Sequence, residues 1–513
     1  MADQGSQEQR ELEKQRQTKE GIGDRISLGN IYDRAAVAVG RGARAEIRVF
    51  NIDIRLLPLV LLLTGVVIVL SFLLLYHPAP EKMSGRVFNV AVAKFTHVDE
   101  EGLAVKSDDG LRLAETLHDR LQTNFSELGR DLGFHEGDID IWPPEYTGTI
   151  KGQTADERES AARDLADVIG ADLIIYGVIQ DTGSASQFTP EFYVDFKGSN
   201  EAAEITGRHQ LGEALRLQLP FDSVAFLEVE NPALSARTKA LALITIGLAF
   251  YVNDDFQTAL EYFSQARDTR GWLDNAGKQV AYLLLGNTYT RLAATEKSTA
   301  YLPEAMANYD EAREIDPGYV RAGLGRAVVL YLTALGDPAD ANFEGIDLEI
   351  LAEAENIFQE TLEMEDLPAN ANLETKSRFY LGLIYFVLSQ IDDDAELSQA
   401  KAYFERITSD FEAGSEDIAL QAGYAYGQLA LIARLEGNPS LAIQNYEQAI
   451  DLVTPREQAN YYTELGEVYC HDHQKDQAVE AYREAIRITE FYGEQESARR
   501  YSEALHALEA GDC

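Results

Sequence analysis

The sequence predicts an α-solenoid of about six helix pairs, preceded by a small α/β domain and a single transmembrane helix. Three observations predict it. A pattern of small and aromatic residues recurs through the C-terminal half, and no charged residue lies between Arg55 and Glu81. Between these regions, apolar β-branched runs alternate with runs at helical spacing. The chain has 513 residues, 45% of them hydrophobic, enough for several cores. Its 44 basic and 86 acidic residues leave a net charge of -42, which argues against a general nucleic-acid binder. Two cysteines, Cys470 and Cys513, exclude a disulfide framework, although the two can pair.

Residues 1–54 read as a tail. Residues 3–20 are rich in Gln, Glu, Lys and Arg with little to bury, so they form a solvated leader. Residues 21–54 carry short β-like segments between glycines. Gly40-Arg41-Gly42 lacks the preceding strand and following helix of a dinucleotide loop. Residues 55–77 then read as the transmembrane helix, with 56–76 in contact with the lipid bilayer. About 20 apolar residues span the hydrocarbon core. Pro58 sits near the start, where a missing N–H costs little, and Tyr76 lies at interfacial depth. The leader is too long for a signal peptide. Arg41, Arg44, Arg48 and Arg55 precede the span, against Lys82, Arg86 and Lys94 after it. That asymmetry predicts a single-pass cell-membrane protein with a cytoplasmic tail and extracytoplasmic C-terminal domains.

Residues 85–225 read as an α/β sandwich. The run 86–95, Arg-Val-Phe-Asn-Val-Ala-Val-Ala-Lys-Phe, is a buried strand. Leu113, Leu117, Leu121 and Phe125 give 109–129 a helical stripe. Ile139–Trp142 is a short strand stopped by Pro143-Pro144. Thr154 with Glu157 makes a capping box, and Gly170 closes the helix it opens. Residues 171–179 form another buried strand, and 188–196 and 203–219 read as more exposed antiparallel ones. The order Val-Ala-Val-Ala-Lys-Phe, then Ile-Gly-Ala-Asp-Leu-Ile-Ile-Tyr-Gly-Val, resembles the amino-terminal domain of TolB. The resemblance implies an assembly or recognition module.

Residues 235–510 carry the repeat. Tyr462, Leu465, Gly466, Tyr469, Ala478, Tyr482 and Ala485 superpose on Tyr426, Leu429, Ala430, Ala433, Ala442, Tyr446 and Ala449 without a gap. Gly247, Phe250, Ala259, Phe263 and Ala266 keep the same spacing. Looser copies follow Leu285-Gly286, Leu324-Gly325 and Leu381-Gly382, and 494–509 reads as a capping helix. The small residue lets the two helices of a pair approach, and the aromatic rings fill the space between pairs. These positions resemble the tetratricopeptide repeat (TPR).

The resemblance implies a concave groove lined by first-helix residues, and a protein or peptide partner held there. It places Asn287 and Arg291 at one and five residues after Gly286, Arg326 one after Gly325, and Arg434 four after Ala430. These donors would suit a carboxylate or peptide backbone. Tyr251, Phe386 and Tyr424, with Leu248 and Phe379, supply apolar or aromatic groove positions. Cys470-His471-Asp472-His473 lacks a second ligand pair for zinc, and Asp392-Asp393-Asp394 lacks the EF-hand spacing. No nucleophile with a plausible base and no cofactor motif stands out. The reading is therefore a non-enzymatic, membrane-anchored scaffold that helps assemble a membrane-associated complex without a cofactor or metal. The alternative is a single-pass receptor whose α/β domain senses a ligand and signals through the N-terminal tail.

Overall fold

The computed structural model describes residues 82–510, apart from short intervals at 86–87, 132–137, 184, 197–201, 218–231, 273–274, 337–344, 366, 369–371 and 392–393. The expected tail (1–54) and transmembrane helix (55–77) lie outside the described residues. Pro80–Cys513 forms one compact unit.

The α/β module is built on strands β1 (Phe88–Val92), β2 (Thr96–Val98), β3 (Ile139–Trp142), β4 (Leu173–Asp181), β5 (Ser186–Val194), β6 (Gly207–Gln210) and β7 (Leu215–Leu217). The sheet runs β3-β1-β4-β5-β6, with β2 beside β4 and β7 beside β5. β1 is parallel to β3 and β4, whereas β5 is antiparallel to β4, β6 and β7. Its helices are α1 (Asp109–Asp131), α2 (Pro144–Thr147), α3 (Ala155–Ile169) and the one-turn α4 (Ala202–Ile205).

Strand periodicity sorts β1 into two faces. Phe88, Val90 and Val92 pack with Leu113, Leu117 and Leu121 of α1. Ala91 and Ala93 pack on the other face with Ala162, Ala166 and Ile169 of α3. The capping box forms as expected: the Thr154 hydroxyl accepts from the Glu157 N–H, and the Glu157 carboxylate accepts from the Thr154 N–H. Gly170 closes α3 with φ 72°.

Two expectations need correction. β5 is buried along most of its length instead of exposed, because α3 covers one face of the sheet and the first solenoid helix the other. Residues 203–219 are not a continuous pair of strands. They begin in α4, and two short strands follow.

The solenoid pairs are α5 (Pro232–Tyr251) with α6 (Phe256–Arg267), α7 (Gln279–Thr295) with α8 (Leu302–Ile315), and α9 (Val320–Leu335) with α10 (Leu348–Glu363). They continue with α11 (Leu373–Ser389) and α12 (Asp394–Glu412), α13 (Ala419–Leu435) and α14 (Pro439–Leu452), and α15 (Gln458–His471) and α16 (Lys475–Phe491). Helix α17 (Gln495–Ala510) caps the stack. The small positions act as the repeat requires. A Cβ on Gly247 would lie 2.5 Å from the Phe263 ring, and one on Gly382 2.7 Å from that of Phe404. Helix α5 is the one described helix long and apolar enough to cross a membrane, but 83% of its apolar window is buried. It joins the sheet and α1 in a single apolar core, so it belongs to the fold's interior. Helices α7, α9, α11 and α13 touch in succession, which places the first helices on the shorter, inner arc of a curved stack.

Candidate functional site

The inner arc has two parts with different chemistry. Along pairs three and four it is filled by the protein's own module. Helix α4 packs against α9 and α11, both first helices. Lys376 of α11 is buried and its ammonium pairs with the buried Glu204 carboxylate. Arg321 of α9, 2% exposed, donates to the backbone oxygens of Glu204 at 2.9 Å and Thr206 at 2.5 Å. These carbonyls lie at the C-terminal end of α4, where a cation is favoured. Arg237 of α5, also buried, donates to the Glu213 oxygen at 2.6 Å. Gly212, at φ +91°, permits the approach, since a Cβ there would lie 2.7 Å from the Arg237 guanidinium.

A buried histidine completes this seam. His209 of β6 stacks on Phe192 at 5.1 Å, and its Nε2 lies 2.6 Å from the Ile205 oxygen. Burial and the nearby Arg321 guanidinium push the imidazole down to about 3, although the Ile205 hydrogen bond acts in the opposite direction. It is therefore neutral at physiological pH and donates from Nε2. Within the module, burial raises the Glu191 carboxyl, but ion pairs to Arg158 and Arg208, both at 2.8 Å, bring it below its ordinary value.

The second part is an open chamber where the far ends of the solenoid meet. One cavity of about 530 Å³ is lined by the α5–α6 turn, the end of α7, the segment before α15, and Glu494. A second, of about 490 Å³, runs along α13 and α15 and shares Glu457 and Asn460 with the first. Arg456 bridges the two ends: its guanidinium lies 2.8 Å from Asp254 and 2.6 Å from Glu494. Arg291 lies 3.7 Å from Asp254 and stacks over Phe256. Arg434 sits 2.9 Å from both Glu464 and Glu467. Burial, with Glu467 beside it, keeps the Glu464 carboxyl above its ordinary value despite Arg434. The Tyr424 hydroxyl donates to Glu457.

Three of the residues expected in the groove reach this chamber: Arg291, Arg434 and Tyr424. The other four do not. Asn287 is fully buried and accepts a hydrogen bond from the Tyr309 hydroxyl at 2.7 Å. Arg326 pairs with Asp310 of α8 and Glu353 of α10, both on second helices. The position one residue after the glycine thus faces the second-helix layer, not the inner arc. Tyr251 is 2% exposed, edge-on to Phe256 and Phe196. Phe386 packs against the apolar cluster containing Phe404 and Tyr424.

Sequence reasoning missed Arg321 and Lys376, which do grip a carboxylate and backbone oxygens, within the chain itself. The available signal was a cation in the first turn of a first helix, ahead of its Leu-Gly pair. It also missed Arg456, Glu457 and Asn460. These lie just before α15 or in its first turn, and no repeat position marks them.

A family model described as "Tetratricopeptide repeat" matches residues 421–491, which span pairs five and six. No curated protein matches the chain. Among solved structures it is similar to PilW, a widely conserved type IV pilus biogenesis factor, at 16% identity, covering 52% of this chain and 92% of that one with a TM-score of 0.30. It is similar to a Rap protein complexed with Competence and Sporulation Factor at 14% identity, covering 56% and 88%, TM-score 0.34. It is also similar to YrrB, described as a TPR protein with an unusual peptide-binding site, at 20% identity, covering 48% and 99%, TM-score 0.24.

Proposed function

We propose that the protein is a membrane-anchored scaffold that holds a protein or peptide partner in the chamber of its solenoid and acts by binding, without a chemical step. The observation that carries the reading is the pair of adjoining cavities, about 530 and 490 Å³, on the inner arc. Each falls in the size range of ligand sites, and solenoids bind partners on such concave faces. The module fills the inner face at pairs one, three and four, which directs a partner to the chamber between the α5–α6 turn, the end of α7 and pairs five and six. In this reading residues 56–76 anchor the chain in the bilayer, the tail is cytoplasmic, and the solenoid works outside the cytoplasm as part of a membrane-associated complex. The ligand-sensing alternative gains nothing from the apolar cavity between the sheet and α5, which at about 20 Å³ holds roughly one water.

A photo-crosslinking residue placed in the full-length chain tests the reading in cells. At Gln428 or Thr295, on the chamber walls, it is expected to give discrete adducts. At Glu304 or Glu405, exposed on second helices, it is expected to give none. Adducts only from the second-helix positions would move the binding surface away from the chamber.

A further inference from the structure

We propose that the segment held in the chamber is basic, an extended stretch bearing arginine or lysine, rather than the acidic or C-terminal peptide that the sequence suggested. The inference rests on reading the chamber as a peptide site and specifies its partner's chemistry. The two cavities are lined by six carboxylates: Asp254, Asp255, Glu296, Glu457, Glu464 and Glu494. Against them stand three guanidiniums, Arg291, Arg434 and Arg456.

Two of the three arginines are each held between two carboxylates of the chain, and the third lies 3.7 Å from one. Arg456 lies between Asp254 and Glu494, Arg434 between Glu464 and Glu467, and Arg291 beside Asp254. An incoming carboxylate would have to break one of these pairs and would add negative charge to a chamber already in deficit of cations. Three of the carboxylates, by contrast, have neutral donors. Asp255 caps α6 by accepting from the Thr258 N–H, and Glu296 accepts from the Tyr301 hydroxyl. Glu457 accepts from Tyr424 and Thr454. Their charge is left for a ligand to neutralise.

The chamber also displays the contact such a ligand would make. Twice it seats a guanidinium between two carboxylates, the planar donor fork that carboxylates bind best. Tyr461, half-buried in the wall of the second cavity, offers an aromatic surface for a cation or its aliphatic stem, whereas Tyr424 and Tyr446 are buried behind it. Complementary charge further favours rapid and selective capture of the partner.

Two short fluorescent peptides, one rich in Arg and Lys and one rich in Asp and Glu, are titrated against the full-length protein in detergent and followed by anisotropy. The basic peptide is expected to bind, more weakly as salt rises. The triple variant Asp255→Asn, Glu296→Gln, Glu457→Gln keeps the one acceptor oxygen that Asp255 and Glu296 each use and one of the two that Glu457 uses, and is expected to lower the affinity about tenfold or more. A control triple on second helices, Glu304→Gln, Glu360→Gln, Glu405→Gln, removes the same charge and is expected to change it less than about twofold. Equal weakening by both triples would reduce the effect to diffuse attraction and overturn the proposal. Binding of the acidic peptide instead would overturn it while leaving the chamber a peptide site. If neither peptide binds, adducts from Gln428 would show that only the partner's chemistry was misjudged, and their absence would remove the chamber reading as well.

Discussion

The inner faces of pairs three and four and of pairs five and six come from equivalent helices, yet they meet opposite fates. At pairs three and four, Arg321 and Lys376 are buried against α4 of the module. At pairs five and six, acids and arginines line an open chamber. The contrast shows that a repeat position does not fix a role. A cation on the inner arc becomes structural where another segment of the chain supplies its partner. Desolvating a charge is tolerable only when it is paired and hydrogen-bonded.

The largest break in this contrast comes at the sealed face. Lys376→Ala removes the ammonium paired with the buried Glu204 carboxylate, and removing one partner of a buried pair costs about 3–5 kcal/mol. Urea denaturation should show that loss, and the double variant Lys376→Met, Glu204→Met should recover most of it. A loss below about 1 kcal/mol would mean that water reaches the pair.

The next effect is on pH. In the fold the His209 imidazole titrates at about 3, against about 6.5 in the unfolded chain. The unfolded state therefore binds the proton first. The stability tied to neutral His209 is fully present above about pH 6.5 and is lost as pH falls toward 3. At pH 5 the loss amounts to about 2 kcal/mol. Thermal melts between neutral pH and about pH 5 should show it, and His209→Gln should flatten the profile even though it melts lower throughout. Parallel profiles would place the titration elsewhere.

The smallest effect belongs to the open face. Arg456 is 52% exposed at its side chain, so Arg456→Ala should cost less than about 1 kcal/mol. It removes the bridge between Asp254 and Glu494, however, and leaves the chamber more negative. Binding of the basic peptide should therefore tighten, while the melting temperature scarcely moves. A large drop in melting temperature would make the bridge a structural closure of the solenoid instead of a feature of the site.

Local features were legible from the residues. The Thr154–Glu157 capping box needs only a three-residue interval, and the contact between Gly247 and the Phe263 ring recurs at the same spacing as Gly466 on Tyr482. The candidate site was read less well. Arg291, Arg434 and Tyr424 reach the chamber, but Asn287 and Arg326 face the second helices. Repeat spacing says which residues share a helix face, whereas the way that face turns depends on the crossing angle of each helix pair.

By itself the sequence determined the repeat, its helix pairs, the capping helix and the two-faced strand β1, because each follows from periodicity over a few residues or from a copied register. Only the tertiary structure decided that Glu204 would lie against Lys376, 172 residues away, and that Arg456 would reach Asp254 across 202. Such meetings depend on curvature summed over many helix crossings and on how the module seats against the inner arc. No short stretch of sequence contains either.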